Sequence, residues 1–278
     1  MSTGSFSTLH VTTSGGVAEI VLDNPPVNVI SAVMMRELAD ALGELAADSS
    51  VRVVVFSSAN PDFFLAHVDM HILDQEEVLA DLIAAAAPRG INAFQAVGEL
   101  LRNHPQVTIV KLAGKARGGG AEFVAAADMS FAARESAGIG QIESLMGIVP
   151  SGGGTQYLRE RVGRNRALET VLTGDLFDAD TAAAYGWINR AVPAAELDAF
   201  VDRIARNIAD LPAGVVEAVK SVLPPADLST GYAKEETEWS ALIAGPDALR
   251  LMDGALRHGA QTPEGETDLE ALMRSAAR

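Results

Sequence analysis

Short apolar strands alternate with helical segments along the N-terminal part of the chain, and this alternation most constrains the fold. Residues 51–56, 107–112 and 129–133 are apolar runs of strand length, and segments with helical spacing separate each run from the next. Strands that are joined through helices pair in parallel, with right-handed crossovers. The sequence therefore predicts an α/β fold with a mainly parallel sheet.

The two ends of the chain depart from this pattern. Near the N terminus, two β-branched runs flank a Ser-Gly-Gly turn at residues 14–16, which predicts a β-hairpin. Ser31 then precedes a helical pattern and is a suitable N-cap. From about Thr155 onward the pattern is almost wholly helical, and no flexible linker interrupts it. The chain is therefore interpreted as a core over residues 1–195 with a helical C-terminal region over residues 196–278.

Composition and charge exclude several classes of function. The 278 residues include 37 acidic and 21 basic side chains, and the formal net charge of −16 repels the phosphate backbone of nucleic acid. The absence of cysteine excludes disulfides, thiolate metal sites and a cysteine nucleophile. The N-terminal segment lacks the parts of a secretory signal, and the apolar runs are too short for a membrane span. We therefore expect a cytoplasmic protein without membrane or nucleic-acid partners.

The glycine-rich turn at residues 118–120 is the strongest local signal for a site. It begins a short predicted helix over residues 121–127, where free backbone N–H groups attract negative charge. The G-x-G-x-x-G order of dinucleotide sites and the G-K-[ST] of a P-loop are both absent. Two interpretations remain open: an oxyanion hole, which needs only one or two oriented N–H donors, and a tight turn without a ligand.

Two glutamates near this turn are candidates for proton transfer. Glu122 falls in the first turn of the predicted helix, where it either complements the helix dipole or stands beside an oxyanion site. Glu143 lies in a strongly apolar segment, where burial would raise its pKa, although a solvated helix end is an equally simple interpretation. Two carboxylates that face one substrate can act together as general acid and general base.

Histidine and serine motifs give weaker signals. His67 and His71 stand at i, i+4, the spacing of metal ligands on one helix face, but no H-E-x-x-H motif accompanies them. The G-x-S-x-G nucleophile elbow is also absent. We therefore predict that the chain has no metal site.

Four segments, taken in order, resemble the signatures of the enoyl-CoA hydratase/isomerase (crotonase) family. Residues 114–122 (GKARGGGAE) resemble its glycine-rich signature, and residues 140–156 resemble its second signature. Residues 64–70 (FLAHVDM) resemble its F-x-A-G-A-D loop, and residues 22–28 (LDNPPVN) resemble its early L-x-x-P-x-x-N segment. Each segment alone is a weak signal, but their common order and spacing make the resemblance specific.

This resemblance implies a fold, a substrate class and a set of catalytic groups. The implied fold is a crotonase-like spiral of ββα units with a helical C-terminal oligomerisation region, which builds homotrimers that often pair into hexamers. The implied substrate is an acyl-CoA thioester, so coenzyme A enters as part of the substrate and no separate cofactor is expected. The backbone N–H groups of Val68 and Gly119 would form the oxyanion hole. Glu122 would orient and activate water, and Glu143 would exchange the proton at the α-carbon.

Further positions are expected to contact the substrate on the same ground. These are Asn28, Ala66, His67, Asp69, Gly118 and Ser151. Asp69 is expected chiefly to cap the helix that follows it. Several residues depart from the family pattern: His67 and Ser151 stand where glycine is usual, Arg117 replaces an apolar residue, and Ile142 replaces a common proline.

The leading functional hypothesis is hydration of a trans-2-enoyl-CoA to a 3-hydroxyacyl-CoA, because both family glutamates are present. A double-bond isomerase, which can work with a single glutamate, is the nearest alternative. Other crotonase-family acyl-CoA chemistry (hydrolysis, decarboxylation or carbon–carbon cleavage) uses the same oxyanion hole, and the fold does not choose among these reactions. A non-catalytic acyl-CoA-binding subunit is the alternative from a different class, and the unusual His67 and Arg117 motivate it.

Overall fold

Two β-sheets form the framework of the computed structural model, which describes residues 6–277. The strands are β1 (Leu9–Ser14), β2 (Val17–Leu22), β3 (Val53–Ser58), β4 (Phe63–Leu65), β5 (Val107–Leu112), β6 (Lys115–Arg117), β7 (Met129–Ala133), β8 (Gly138–Gly140), β9 (Phe177–Asp178) and β10 (Arg190–Val192). The helices are α1 (Ala32–Ala46), α2 (Glu76–Ala86), α3 (Ala93–Arg102), α4 (Gly119–Ala126), α5 (Gly154–Val162), α6 (Arg164–Thr173), α7 (Ala179–Tyr185), α8 (Leu197–Ala209), α9 (Val215–Val222), α10 (Ser229–Ile243), α11 (Pro246–Arg257) and α12 (Leu269–Ala276).

The larger sheet has six strands in the order β1-β2-β3-β5-β7-β10. The strands β1 and β2 pair antiparallel, with Leu9 opposite Leu22, so the predicted hairpin is confirmed. The remaining neighbours in the sheet pair in parallel. The strands at the centre of the sheet are buried on both faces, which explains their almost continuous apolar sequences.

The smaller sheet has four short strands in the order β4-β6-β8-β9. The first three follow β3, β5 and β7 along the chain, so each long strand is succeeded by a short strand and then by helix. This recurrence is the spiral of ββα units that the family resemblance implies, and the predicted α/β fold class is confirmed. The glycine-rich turn and Glu143 both lie at the ends of short strands, where the active-site candidates gather.

The chain beyond Thr155 is less purely helical than predicted. The strand β9 pairs with β8, and β10 adds an edge to the larger sheet beside β7. Both strands are only two or three residues long, and a run of that length shows neither of the periodicities that identify a strand. The same brevity explains why β4, β6 and β8 were not predicted.

Helix α1 shows how capping and burial fix an element beside the site. The Ser31 side chain accepts a hydrogen bond from the Met34 N–H at 3.2 Å, as the sequence predicts for an N-cap. Leu38 and Leu42 lie one turn apart on the buried face and are at most 1% exposed. Each such side chain contributes about 1.5–3 kcal/mol by leaving water.

The C-terminal region is helical, but it does not form a separate body. Helix α8 packs against the larger sheet, whereas α11 and α12 pack with the loop that follows β8. A second apolar core joins these last helices to the loop, with Ile142, Met146, Leu269 and Met273 among its members. The division at residues 195 and 196 stays a prediction. Across residues 6–277, no helix is both long and apolar enough to cross a membrane.

Candidate active site

The glycine-rich turn joins β6 to α4 and offers one free N–H. Gly118 has a φ of 51°, which favours glycine, and its own N–H donates to the Gly140 carbonyl at 2.9 Å. Gly119 is the first residue of α4, so its N–H has no partner within the helix. That N–H donates to no other group in residues 6–277. The N–H of Gly119, and not that of Gly118, is therefore open to a ligand.

Val68 presents a second N–H beside this turn that donates to no group within the described part of the chain, residues 6–277. The parallel bridge to Ile30 uses the neighbours of Val68: the Ile30 N–H donates to the His67 carbonyl at 2.8 Å, and the Asp69 N–H donates to the Ile30 carbonyl at 3.0 Å. This pattern leaves the Val68 N–H outside the ladder. A Cβ atom on Gly119 would overlap the Val68 side chain, so the Gly119 backbone lies directly against that side chain. The two predicted oxyanion donors are therefore neighbours in space.

Glu122 lies in the first turn of α4 and is 7% exposed. Its Oε1 accepts hydrogen bonds from the N–H groups of Gly152 and Gly154, each at 2.9 Å. A Cβ atom on Gly119 would stand 3.8 Å from Oε2. One carboxylate oxygen is thus held by the glycine loop before α5, and the other lies near the open N–H of Gly119.

Glu143 lies against the neighbouring glycine of the same turn. It begins a 3-10 turn after β8 and is 7% exposed. A Cβ atom on Gly118 would stand 2.7 Å from Glu143 Oε1, so only glycine leaves room for this carboxylate. In the amide orientation that satisfies both of its polar groups, Gln141 donates to Glu143 Oε2 at 3.0 Å. The two glutamates therefore reach consecutive glycines of one turn.

Both carboxyl groups hold a proton more tightly than an exposed glutamate does. Burial raises the pKa of Glu143 to about 7, with a smaller contribution from the charge of Glu235, although a backbone hydrogen bond and the charge of His67 oppose the rise. Burial also raises the pKa of Glu122 well above its usual value, assisted by the charges of Glu143 and Glu235. Two like charges in one buried site resist ionising together, so the pair retains a proton near neutral pH. A pair that shares one proton can supply an acid and a base at once.

These groups line one pocket that opens to solvent. The sequence-predicted residues in its wall are His67, Val68, Asp69, Gly118, Gly119, Glu122, Glu143 and Ser151. Most of the other wall residues are apolar, including Ile72, Leu73, Phe94, Met146 and Ile148. An apolar wall around a few polar groups is typical of a site that binds an apolar ligand in a fixed orientation.

Asn28 and Ala66 are not among the residues that form this pocket wall. The Asn28 side chain is 1% exposed and donates to the Leu22 carbonyl at 3.1 Å and to Ser58 Oγ at 2.7 Å. Its oxygen accepts from the Asn24 N–H at 2.6 Å, and its backbone carbonyl accepts from the Ala66 N–H at 3.1 Å. Asn28 therefore links neighbouring loops through hydrogen bonds of its side chain and backbone. Substrate contact by Asn28 or Ala66 stays a prediction.

The expectation that Asp69 caps the next helix is wrong. The 3-10 turn Ile72–Gln75 begins after His71 and has no side-chain cap. Asp69 instead accepts hydrogen bonds from the His71 N–H at 3.0 Å, from Gln75 Nε2 at 2.9 Å and from Gln261 Nε2 at 3.2 Å. The carboxylate therefore closes the local turn and ties it to a loop near the C-terminal end of the chain.

His67 and His71 have separate environments. His67 is 2% exposed, and its Nε2 lies 2.9 Å from Glu266 Oε1, whereas the His71 side chain is largely exposed. Over the described range 6–277, no group of three or more His, Cys, Asp and Glu side chains is arranged to hold a metal ion. The structure therefore assigns His67 to a buried ion pair.

Helices α10 and α11 supply site residues that sequence analysis missed. Glu235 on α10 is 4% exposed and accepts hydrogen bonds from the N–H groups of Gly153 and Thr155, each at 3.0 Å. The N–H groups of residues 152–155 thus alternate between two buried carboxylates. Those of Gly152 and Gly154 donate to Glu122, and the two between and after them donate to Glu235. The wall residues that these two helices supply are Trp239, Ile243 and Met252. The first two follow Glu235 at intervals of four, and that one-sided helical pattern was the available signal.

Known proteins that resemble this chain share one family. Residues 12–241 match the model of the enoyl-CoA hydratase/isomerase family. Carnitinyl-CoA dehydratase from Proteus mirabilis is 33% identical over 215 residues, which are 77% of this chain and 79% of that protein. A solved structure from Streptomyces avermitilis, whose name assigns it to the enoyl-CoA hydratases, is 68% identical with a TM-score of 0.97, covering 99% of this chain and 100% of that one. The crystal structure of enoyl-CoA hydratase from Bacillus anthracis is 27% identical with a TM-score of 0.71, covering 90% of this chain and 96% of that one. The chain therefore belongs to the enoyl-CoA hydratase/isomerase family, and it is a crotonase-family enzyme.

Proposed function

We propose that this enzyme adds water across the 2,3 double bond of an enoyl-CoA thioester. The observation that carries the proposal is the pair of buried carboxylates, Glu122 and Glu143, beside consecutive glycines of a turn whose Gly119 N–H donates to no group in the described residues 6–277. Hydration needs one group that takes a proton from water and one that gives a proton to the α-carbon. An isomerase needs a single carboxylate, so the retained pair favours hydration over the shift of a double bond.

The geometry supports a specific division of labour. The thioester oxygen would accept hydrogen bonds from the N–H groups of Val68 and Gly119 as negative charge develops on it. Each such donor stabilises a transition state of this kind by about 3 kcal/mol. Glu122, oriented by the N–H groups of Gly152 and Gly154, would remove a proton from the attacking water. Glu143 would then deliver its proton to the α-carbon.

The pocket supports an acyl chain as the ligand. Its wall beyond the carboxylates is dominated by aliphatic, aromatic and methionine side chains, which favour an apolar acyl group over a charged or sugar-like one. The related carnitinyl-CoA dehydratase carries a name for the removal of water from an acyl-CoA. That chemistry is the reverse of the proposed reaction, and one carboxylate pair would serve both directions.

The test of the proposed function is the loss of conjugated thioester absorbance after the enzyme is mixed with crotonyl-CoA. Glu122→Gln and Glu143→Gln should each lower kcat at least about 100-fold, since general acid–base groups typically contribute this much. Glu37→Gln is the matched control because Glu37 is also 7% exposed but bonds to Ser7 and Thr8, outside the pocket. Its kcat should equal that of the wild type.

The outcomes of this test separate the alternatives. Rapid absorbance loss in the wild type and in Glu37→Gln, but not in the two site variants, would support the proposal. Loss that survives both site substitutions would rule out the two-carboxylate mechanism. Turnover of a 3-enoyl-CoA without water addition would favour the isomerase, and tight acyl-CoA binding without any turnover would favour a binding subunit.

We also propose that the 29.0 kDa chain assembles into a homotrimer or a hexamer, as the family resemblance implies. Large apolar side chains are exposed on the single chain, with Leu172, Val222 and Leu223 each at least 69% accessible. Exposed apolar groups of this size support burial against other chains. Sedimentation equilibrium should give three or six times the chain mass, and a monomer at micromolar concentration would contradict this.

A further inference from the structure

The His67 side chain, which departs from the family pattern, is fixed at both ring nitrogens. Its Nδ1 lies 2.7 Å from the carbonyl oxygen of Val68, and its Nε2 lies 2.9 Å from Glu266 Oε1. A carbonyl and a carboxylate both accept hydrogen bonds, so each ring nitrogen carries a proton and the ring is an imidazolium. Burial alone would lower the pKa of His67, but the Glu266 carboxylate outweighs burial and the net pKa is raised.

Arg117, the other unusual residue in the signatures, binds the same carboxylate. Its guanidinium lies 3.4 Å from Glu266 Oε2 and donates to the Glu266 backbone carbonyl at 3.2 Å. On its other side it forms a two-point ion pair with Glu270, at 2.7 and 3.1 Å. No side chain of this quartet is more than 8% exposed. Two positive and two negative charges thus balance inside the protein, which a buried ionic group requires.

The positions of these residues in the chain link the network to the oxyanion hole. His67 directly precedes Val68, and Arg117 stands two residues before Gly119. One carboxylate, that of Glu266, therefore contacts the residues that lead into both predicted donors. Its Oε1 also accepts the Gln261 N–H at 2.9 Å, which fixes the carboxylate itself. The buried Glu266 side chain, which has hydrogen-bond partners at both carboxylate oxygens, therefore connects the two loops.

We propose that Glu266 is a positioning residue that sets the spacing of the two oxyanion donors, with His67 and Arg117 as its links to the two loops. The inference rests on the proposed function, since it assigns the Val68 and Gly119 N–H groups to a thioester oxygen. Glu266 reaches the site only through other residues, so its effect must appear as a change in how the carbonyl is polarised. A shift of one donor would weaken a hydrogen bond that strengthens as the enolate forms.

The test compares Glu266→Gln, His67→Asn and Glu270→Gln with the wild type. Glu266→Gln keeps the size of the side chain but removes its charge, and His67→Asn keeps a donor near the Val68 carbonyl while losing the bond to Glu266. Glu270→Gln is the control, because its bonds go to the far side of Arg117 and it disturbs the same buried network. Butyryl-CoA labelled with carbon-13 at the thioester carbonyl is the probe, and infrared spectroscopy reports its stretch when bound.

We expect the wild type to shift the carbonyl stretch to lower wavenumber, and Glu266→Gln and His67→Asn to lose much of that shift. Their kcat for crotonyl-CoA should fall about 10- to 100-fold, with KM changed much less, because misplacing a reacting group by about 1 Å has an effect of this size. Glu270→Gln should keep both the shift and kcat even where it lowers thermal stability. His67→Asn provides the result if Glu266→Gln does not fold.

Other results would overturn the inference in distinguishable ways. If the wild type shifts the carbonyl and the Glu266 and His67 variants shift it equally, the positioning role is wrong while the proposed function stands. If Glu270→Gln loses kcat and the shift to the same extent, the network is only structural. If the wild type binds butyryl-CoA without any shift, the oxyanion hole itself is misassigned, and the proposed function fails together with the inference.

Discussion

Gly152 leaves room for the Glu122 carboxylate, and this single position gives a sharp prediction. A Cβ atom on Gly152 would overlap Glu122 Oε2, whose partner oxygen is already held by two N–H groups. Gly152→Ala should therefore displace the carboxylate and lower kcat by about 100-fold, because proton transfer depends on its placement. Steady-state kinetics with crotonyl-CoA would measure the loss.

A second glycine substitution controls for the general effect of alanine. Gly43 lies inside α1, and a Cβ atom there would meet nothing within 4 Å. Gly43→Ala should leave kcat unchanged and raise the free energy of unfolding by about 0.5–1 kcal/mol, because glycine is disfavoured within a helix. Equal kinetic losses in the two variants would show that Gly152 has no special relation to Glu122.

The carboxyl pair also predicts the pH dependence of the enzyme. Proton transfer in either direction needs a pair that holds one proton, whichever glutamate carries it. Since the pKa of Glu143 is about 7 and that of Glu122 is also raised, the pair holds two protons in acid and one above neutrality. The ratio kcat/KM should therefore rise as pH increases through about 7, and fall when the second proton is lost.

Measurement of hydration and dehydration between about pH 5 and 9 would check this dependence. Water addition releases no net proton, so the two directions must give parallel profiles of kcat/KM. A rate that is already constant between about pH 5 and 7 would mean that the pair loses its first proton in acid, contrary to the effect of burial.

At the residue scale, sequence analysis identified the site residues that lie in contiguous motifs. It missed the site residues that are far from those motifs in the sequence. Glu122 and Glu143 belong to local signatures, so their neighbourhood was visible in the sequence. Glu235 lies on α10, and its hydrogen-bond partners Gly153 and Thr155 are 82 and 80 residues earlier in the sequence. Tertiary packing brings it there, and no local pattern records such packing.

At the scale of elements, the buried ion pairs attach the C-terminal helices to β6. Arg117 on β6 is fully buried and holds Glu266 and Glu270, the latter on α12. Arg117→Ala would leave both carboxylates buried without their partner and should lower the free energy of unfolding by about 3–5 kcal/mol. Urea denaturation would measure the loss, and hydrogen exchange should increase first in α12.

An exposed pair provides the comparison for that prediction. Arg134 and Asp180 also form an ion pair, but their side chains are 44% and 62% exposed. Arg134→Ala should leave the urea midpoint nearly unchanged, because solvent screens such a pair. Similar midpoint losses in Arg134→Ala and Arg117→Ala would contradict the distinction between the buried and exposed pairs.

The elements that were predicted correctly are those with strong local periodicity or chemistry. Helix α1 has a side-chain cap and a buried stripe, and β5 is a six-residue apolar run, so both were visible. The strand β3 begins at Val53 rather than at residue 51, since hydrogen bonding and not hydrophobicity sets the end of a strand. The strand β10 exists only because β7 offers it an edge, and three residues alone do not show this.

At the scale of the whole molecule, the net charge of −16 opposes the binding of an anionic coenzyme A ester. The Debye length falls from about 30 Å at 0.01 M salt to about 8 Å at 0.15 M, which screens this repulsion. The ratio kcat/KM for crotonyl-CoA should therefore rise with added salt over this range. Crotonyl-N-acetylcysteamine, which lacks the phosphates, is the control and should show no such rise.

The opposite dependence would identify a local basic contact that dominates the long-range field. In that case added salt would weaken binding of the CoA ester, and KM would rise. The same series of measurements thus decides whether the global charge or a local cluster controls entry of the substrate.

Hydration by a shared pair of buried carboxylates is tested most directly by deuterium incorporation from heavy water. Crotonyl-CoA converted in D₂O should yield 3-hydroxybutyryl-CoA with one deuterium bound to the α-carbon, and mass spectrometry with proton NMR would locate it. We expect this product from the wild type and from Glu37→Gln, and almost none from Glu122→Gln or Glu143→Gln. Undiminished formation of the deuterated product by either site variant would contradict the central claim.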